Sequence, residues 1–272
     1  MGNGPGIILL HGGINASQHL MKLGTLLSDE YTVYIPDRRG RGMSGPIGED
    51  YSIEKEDEDL DALLKKTGVH YVFGTADGAL FVLHAAISNP LIHKIVAYEP
   101  LFLFGQPGAD EFKTLLEHYQ KYAAEGDVYA AMESLTKESK TYLVVNIMPE
   151  FIMIPVWKLL LGFDAWRAKG DNVPLKELLL PFRYEVKVGL KTEGTLENYK
   201  KVSAEILLLY GSKTEPLLRD SQEHLNEILP NSKLIEFEGL DHGAAQDYGK
   251  PESIAQEIKR FYKENITKEY EY

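Results

Sequence analysis

The chain reads as an α/β fold: a mostly parallel central sheet flanked by helices, with a helical cap inserted into it. Three observations lead there. Short apolar runs alternate with helix-spaced segments up to about residue 100. From 101 to 201 the pattern turns almost purely helical, and at Ala204 the strand–helix alternation resumes. Residues 1–100 and 202–272 are therefore expected to form one core domain, and 101–201 a cap over it.

The elements follow in order. Gly6 to Leu10 is a continuous apolar run of the kind buried on both faces of a parallel sheet. Ser17 to Ser28 has helical spacing, with Leu20, Leu23, Leu26 and Leu27 on its apolar side. Tyr31 to Pro36 is the next strand, followed by the glycine-rich loop Asp37 to Gly45. Ser52 stands where it can cap a helix whose acidic run, Glu54 to Asp61, is expected to be a solvated face. Val69 to Phe73 and Lys94 to Tyr98 are strands, with a helix from Ala79 to Ile87 between them. In the insertion, Glu111–Ala124, Tyr129–Ser139, Ile154–Ala168 and Leu175–Phe182 are expected helices, punctuated by Pro149, Pro155, Pro174 and Pro181. Ala204 to Tyr210 and Lys233 to Phe237 complete the sheet, with helices over Leu217–Ile228 and Pro251–Glu264. The tail from Lys268 to Tyr272 is expected to fray.

Composition narrows the function. With 272 residues and 44% apolar content the chain can bury a sizeable core. A formal net charge of -12 argues against nucleic acid or an anionic membrane as the main partner. The absence of cysteine excludes disulfides, a thiolate nucleophile and thiolate metal sites. No His/carboxylate cluster has metal-ligand spacing and there is no dinucleotide fingerprint, so neither metal nor organic cofactor is expected. The first residues lack a secretory signal or a myristoylation motif, and no apolar run approaches the roughly 20 residues a membrane span needs. A cytoplasmic location is the expectation, with oligomeric state open.

The chemistry centres on Gly74-Thr75-Ala76-Asp77-Gly78, between an apolar strand and an apolar helix. That is the layout of a nucleophile elbow, a sharp strand-to-helix turn that presents one side chain above the sheet. Gly74 and Gly78 flank it because strand and helix cross too closely there for larger residues. The apex should be Ser, Cys or Asp; it is Ala76. Three further motifs stand at strand ends: His11-Gly12-Gly13, Asp37 to Gly45, and Gly239-Leu240-Asp241-His242-Gly243. In this order the four motifs resemble the α/β-hydrolase superfamily over nearly the whole chain. Members commonly carry an N-terminal strand pair before the first motif; here only about five residues precede it, so the sheet is expected to begin one hairpin short.

The resemblance implies roles residue by residue. His242 falls where the family places its catalytic base. The backbone N–H groups of Gly13 and Asp77 fall where an oxyanion hole is built. For the acid that orients the base, the commonest spacing points to position 214, which is Thr, so Glu215 would have to reach from one place further on. Other members place a Glu directly after the strand that follows the elbow; here that is Glu99, which is favoured over Glu215. His11 is expected to brace its loop, and Asp37, Arg38, Arg39 and Ser44 to fix the glycine turns by Arg–Asp pairing and hydrogen bonds. Gly12, Ile14 and Trp157 are candidate substrate contacts. The insertion's Phe102, Phe104, Phe151, Met153, Leu160, Phe163, Trp166 and Phe182 are expected to divide between its core and a pocket lining.

Three readings of Ala76 stay open. It stands in place of a catalytic serine, in an otherwise complete hydrolase of small carboxylic esters, lactones or thioesters, leaving the chain inactive or strongly impaired. Alternatively, the natural chain is a non-catalytic binder of a small molecule, or a His-based enzyme without a covalent step. In the third reading the turn is shifted by one and Asp77 is the nucleophile, as in dehalogenases and epoxide hydrolases. All three imply a small organic partner, apolar to moderately polar.

Overall fold

The computed structural model describes residues 1–137 and 148–264. The expected tail Lys268–Tyr272 and the last residues of the Tyr129–Ser139 helix lie outside the described residues. Six strands form one sheet: β1 (Gly6–Leu10), β2 (Thr32–Tyr34), β3 (Tyr71–Thr75), β4 (Lys94–Tyr98), β5 (Glu205–Gly211) and β6 (Ser232–Phe237). Their order is β2-β1-β3-β4-β5-β6, and every neighbouring pair is parallel. At the β2 edge the backbones of Met1 and Val33 exchange hydrogen bonds of 2.7 and 2.9 Å.

Alternate side chains of each strand face opposite helical layers, so runs such as Ile7-Ile8-Leu9-Leu10 are apolar throughout. Ile8, Val72, Ile95, Ile206 and Leu208 pack with α2 (Ile53–Thr67), α3 (Asp77–Ala85) and α9 (Pro216–Ile228). Ile7, Leu9, Phe73, Val96, Leu207 and Leu209 pack with α1 (Met21–Leu27) and α10 (Pro251–Lys263). Each such side chain contributes about 1.5–3 kcal/mol by leaving water, and together they fix the strand ends as a rigid platform. Register pairs Leu10 with Gly74, Thr75 with Tyr98, Tyr98 with Leu209 and Gly211 with Phe237. The loops after β1, β3, β4, β5 and β6 therefore emerge along one edge. The strand order reverses between β1 and β3, where an open α/β sheet leaves its binding crevice.

Between β4 and β5 lie α4 (Ala109–Glu125), α5 (Val128–Lys137), α6 (Glu150–Arg167), α7 (Leu175–Leu179) and α8 (Phe182–Lys191), then a 3-10 turn at Leu196–Lys201. The sequence suggests one helix over Leu175–Phe182. Instead Pro181 ends α7 and opens α8, because proline lacks the N–H that would continue the ladder. The helix expected from Ile154 begins instead at Glu150, with Pro155 inside it as part of α6. Leu115, Leu116, Tyr119, Ala123, Ala131 and Val186 give this insertion an apolar core of its own. Phe102 is buried in the sheet core against Tyr199, and Phe104 stacks on His224. Phe151, Leu160, Phe163 and Trp166 belong to an exposed face of α6.

Two local expectations change. Ser52 occupies the N-cap position of α2 without bonding the helix backbone, and its hydroxyl instead holds the Glu54 carboxyl below its ordinary range. The acidic run is not a simple solvated face, for Glu56 is buried on Arg38 while Asp57 and Asp59 pair with His84 and Arg39.

Candidate active site

The turn after β3 supplies the centre. Ala76 has φ 49° and ψ -122°, a conformation that costs a non-glycine residue about 1–3 kcal/mol unless its surroundings impose it. Here they do. Its N–H donates to the Tyr98 carbonyl at 2.9 Å, and its carbonyl accepts from Ala79 and Leu80 in the first turn of α3. Gly74 and Gly78 are required by space: a Cβ on Gly74 would lie 2.6 Å from the Ala79 backbone, and one on Gly78 2.5 Å from the His11 carbonyl oxygen. The strained apex thus falls on Ala76, with Asp77 as the first residue of α3. The shifted register that would put Asp77 at the apex is not the one observed.

His242, in the loop after β6, is joined to Glu99 at the end of β4 through Nδ1–Oε2, 2.6 Å apart. Glu99 also has a positive φ of 50° and is fully buried. Its other oxygen accepts from the Gly211 N–H at 2.9 Å and from the Thr214 hydroxyl. A carboxylate with three donors is held in one orientation. Thr214 stands where the sequence looked for an acid, and it serves the acid supplied by the neighbouring strand. Glu215, one residue on, is the N-cap of α9. Tyr98 donates to the Asp241 carbonyl at 2.6 Å and so anchors the His242 loop to β4.

Packing around the imidazole disfavours its charge, but the bond to Glu99, with the Glu99, Asp77 and Asp241 charges, outweighs this and raises the His242 pKa above its usual value. With Nδ1–H committed to Glu99, Nε2 is the nitrogen left for proton transfer, and 46% of the side chain is open to solvent.

The loop after β1 is bound differently from expectation. Gly13 does present its N–H towards α3, but that N–H donates to Oδ2 of Asp77 at 2.9 Å. Gly12 lies against Ala76: a Cβ on it would be 3.0 Å from the Ala76 methyl. Ile14 carries a positive φ of 54° and is partly exposed. Trp157 donates to Glu133 at 2.6 Å, a contact inside the insertion rather than at the elbow.

Beneath this loop lies a buried ionic cluster. Arg38 donates to both Glu56 oxygens at 2.9 and 3.2 Å and contacts Glu185 of α8, which also pairs with Arg41. Burial pushes the Glu185 carboxyl up despite both arginines, while Glu56, also buried, is held below its ordinary range by Arg38. Asp37 is not Arg38's partner; it accepts the N–H groups of Ser17 and Met43 at 2.8 and 2.9 Å and so shapes the glycine turns. Glu185 carries no motif, and its partners stand more than 140 positions away, so no sequence signal marks it. Open crevices of about 410 and 520 Å³ flank the loop after β2, and neither is lined by Ala76, Asp77 or His242. The candidate site is marked by the strand ends rather than by either of these crevices. No group of His and carboxylate side chains among the described residues could hold a metal ion, and no described helix is long and apolar enough to cross a membrane.

Comparison with known proteins agrees with this fold. Residues 7–257 match the alpha/beta hydrolase family, and the chain belongs to it. It is 35% identical over 192 residues to the uncharacterized hydrolase YraK of Bacillus subtilis (strain 168), covering 65% of this chain and 70% of that one. Among solved structures it is similar to an alpha/beta hydrolase from Sphaerobacter thermophilus DSM 20745, with TM-score 0.73, 23% identity and coverage of 96% and 93% of the two chains. It is also similar to a thermophilic esterase from Thermogutta terrifontis, with TM-score 0.68, 16% identity and coverage of 97% and 91%. At these identities the structural likeness is one of fold.

Proposed function

We propose that this is the site of an acyl hydrolase for small carboxylic esters, lactones or thioesters, with Ala76 standing in place of the nucleophilic serine. The observation that carries the reading is the His242–Glu99 pair at 2.6 Å, set at the same sheet edge as a strained apex at residue 76. A triad needs a base with one nitrogen fixed and one free, and a side chain presented at a forced turn. A serine hydroxyl at position 76 would pass its proton to His242 Nε2 as its oxygen bonds to the carbonyl carbon. The tetrahedral intermediate would then collapse, breaking the bond to the leaving group, which takes the proton from His242. Water would repeat the sequence on the acyl-enzyme. As it stands the chain lacks the oxygen that starts this, and it is expected to be nearly inert towards esters.

Ala76→Ser tests the reading with p-nitrophenyl acetate and butyrate and with a fluorophosphonate label. Loss of a triad serine costs about 10⁶-fold in kcat. Loss of one oxyanion donor costs about 10²–10³. With the Gly13 N–H already engaged, the expected gain is about 10³-fold, with label on the new serine. Absence of both turnover and label overturns the reading.

One observation favours a second reading. The Asp77 carboxylate on Gly13 suits a chain that binds a small molecule without acyl transfer. Thermal-shift screening of small apolar ligands against the unaltered chain separates it: saturable stabilisation together with a silent Ala76→Ser variant is its signature.

A further inference from the structure

We propose that the Asp77 side chain is an internal ligand of the oxyanion-binding position, holding the Gly13 N–H so that a substrate oxygen must displace it to gain that donor. The inference deepens the hydrolase reading and rests on it for its kinetic consequence.

Two N–H groups are candidates for an oxyanion hole, one at the elbow and one in the loop after β1. That of Asp77, the first residue of α3, has no acceptor within the helix, as for every first helical turn. That of Gly13 would be the second, but Asp77 Oδ2 accepts it at 2.9 Å. The fit is close on both sides. A Cβ on Gly13 would lie 2.5 Å from that same Oδ2 and 2.3 Å from the ring of Phe182, so a larger residue would have to push both side chains aside. The charge also sits where the start of α3 favours an anion. One carboxylate therefore takes a donor and neutralises the helix end, the two features that would stabilise negative charge on a reacting carbonyl oxygen. An alkoxide arriving there would share the space with a like charge.

The arrangement can open. Asp77 is partly exposed, so its carboxylate can rotate into water, and its charge is felt by two neighbours of opposite effect. Asp77 favours a protonated His242 and disfavours a charged Glu185. Removing the carboxylate should free the Gly13 donor and leave the His242–Glu99 contact in place, while lowering the His242 pKa.

The test compares Ala76→Ser with Ala76→Ser/Asp77→Ala on p-nitrophenyl butyrate. Expected is a rise in kcat of about 10²-fold in the double variant, with a smaller change in KM, because the freed donor acts on the transition state. Equal kcat in two active variants overturns the proposal. If neither variant turns over or takes a fluorophosphonate label, the hydrolase reading fails, and the Gly13 amide proton decides the role of Asp77. In the otherwise unaltered chain, Asp77→Ala should move that resonance upfield as a charge-assisted bond is lost; an unmoved resonance overturns the proposal. Asp77→Asn, which keeps size and acceptor but not charge, is the second variant should alanine fail to fold. It should give a partial gain in kcat and a smaller shift of the Gly13 proton, and no change in either again overturns the proposal.

Discussion

His11 and His242 stand at opposite ends of the chain's motif series, yet both sit at the same sheet edge, and their surroundings make them opposites. His11 is fully buried: Nδ1 lies 2.9 Å from the Gly12 carbonyl, and Nε2 is 3.1 Å from the Arg38 backbone nitrogen, whose N–H it accepts. Both nitrogens are committed in the neutral ring. Burial, reinforced by the Arg38 and Arg41 charges, holds its pKa well below the usual value. His242 has one nitrogen committed to a carboxylate and one left over, and its pKa is raised. A histidine becomes a proton carrier when half of its hydrogen bonding is fixed and half is left unused; with both halves fixed it is a brace.

The largest expected effect breaks this contrast from the side of His242. Glu99→Gln in the Ala76→Ser background keeps an acceptor for Gly211 and Thr214 but no longer holds Nδ1–H or stabilises the imidazolium. The expected loss is about 10³-fold in kcat, back to the level of the chain with Ala76, because replacing a triad acid by its amide costs at least as much as the serine gains here. The stability cost should stay within about 1–2 kcal/mol, because the buried donors keep a partner. A kcat loss below tenfold would mean that the pair does not orient a base.

Next comes a reciprocal pair. His11→Ala leaves the Arg38 N–H without its acceptor in a buried loop and opens a cavity, and should lower unfolding free energy by about 2–4 kcal/mol. His242→Ala removes a half-exposed ring whose place water can take beside Glu99, and should cost about 1 kcal/mol and less than His11→Ala, while abolishing whatever activity Ala76→Ser confers. Urea unfolding of both variants checks this. Equal costs would erase the distinction between brace and carrier.

These two histidines also show how far the sequence can be read. The strand ends were legible because apolar runs stop at glycine-rich turns, and four such turns in order fixed the sheet edge to which His242, Glu99 and Ala76 belong. Position 214 illustrates the limit: threonine there signals a missing acid, but only the register of β4 against β5 shows that its hydroxyl serves Glu99. The motif points to the Asp77 backbone N–H, and nothing in local spacing tells that its side chain reaches Gly13, 64 positions away. Glu185 is farther still from notice. Its role depends on α8 folding back over the arginines of the loop after β2, which is a tertiary event with no local pattern.

The smallest expected effect is a difference in sign. The folded-state pKa of His242 lies above that of the unfolded chain, about 6.5, so its stabilising contribution is full below that pH and is lost as pH rises through the folded value. The folded-state pKa of His11 lies below it. The unfolded chain then takes up a proton that the folded chain refuses, and stability is lost as pH falls from about 6.5 towards the folded value. Unfolding free energies of the chain, His11→Gln and His242→Gln, measured across pH 5.5 to 8.5, isolate the two terms by subtraction. The advantage of the chain over His242→Gln should grow as pH falls, and its advantage over His11→Gln should shrink. The same raised pKa sets the acid limb of kcat/KM in Ala76→Ser above 6.5, and Glu99→Gln should move that limb down. If the two subtractions run in the same direction, the contrast between the histidines is one of exposure alone, and the carboxylate partner has no part in it.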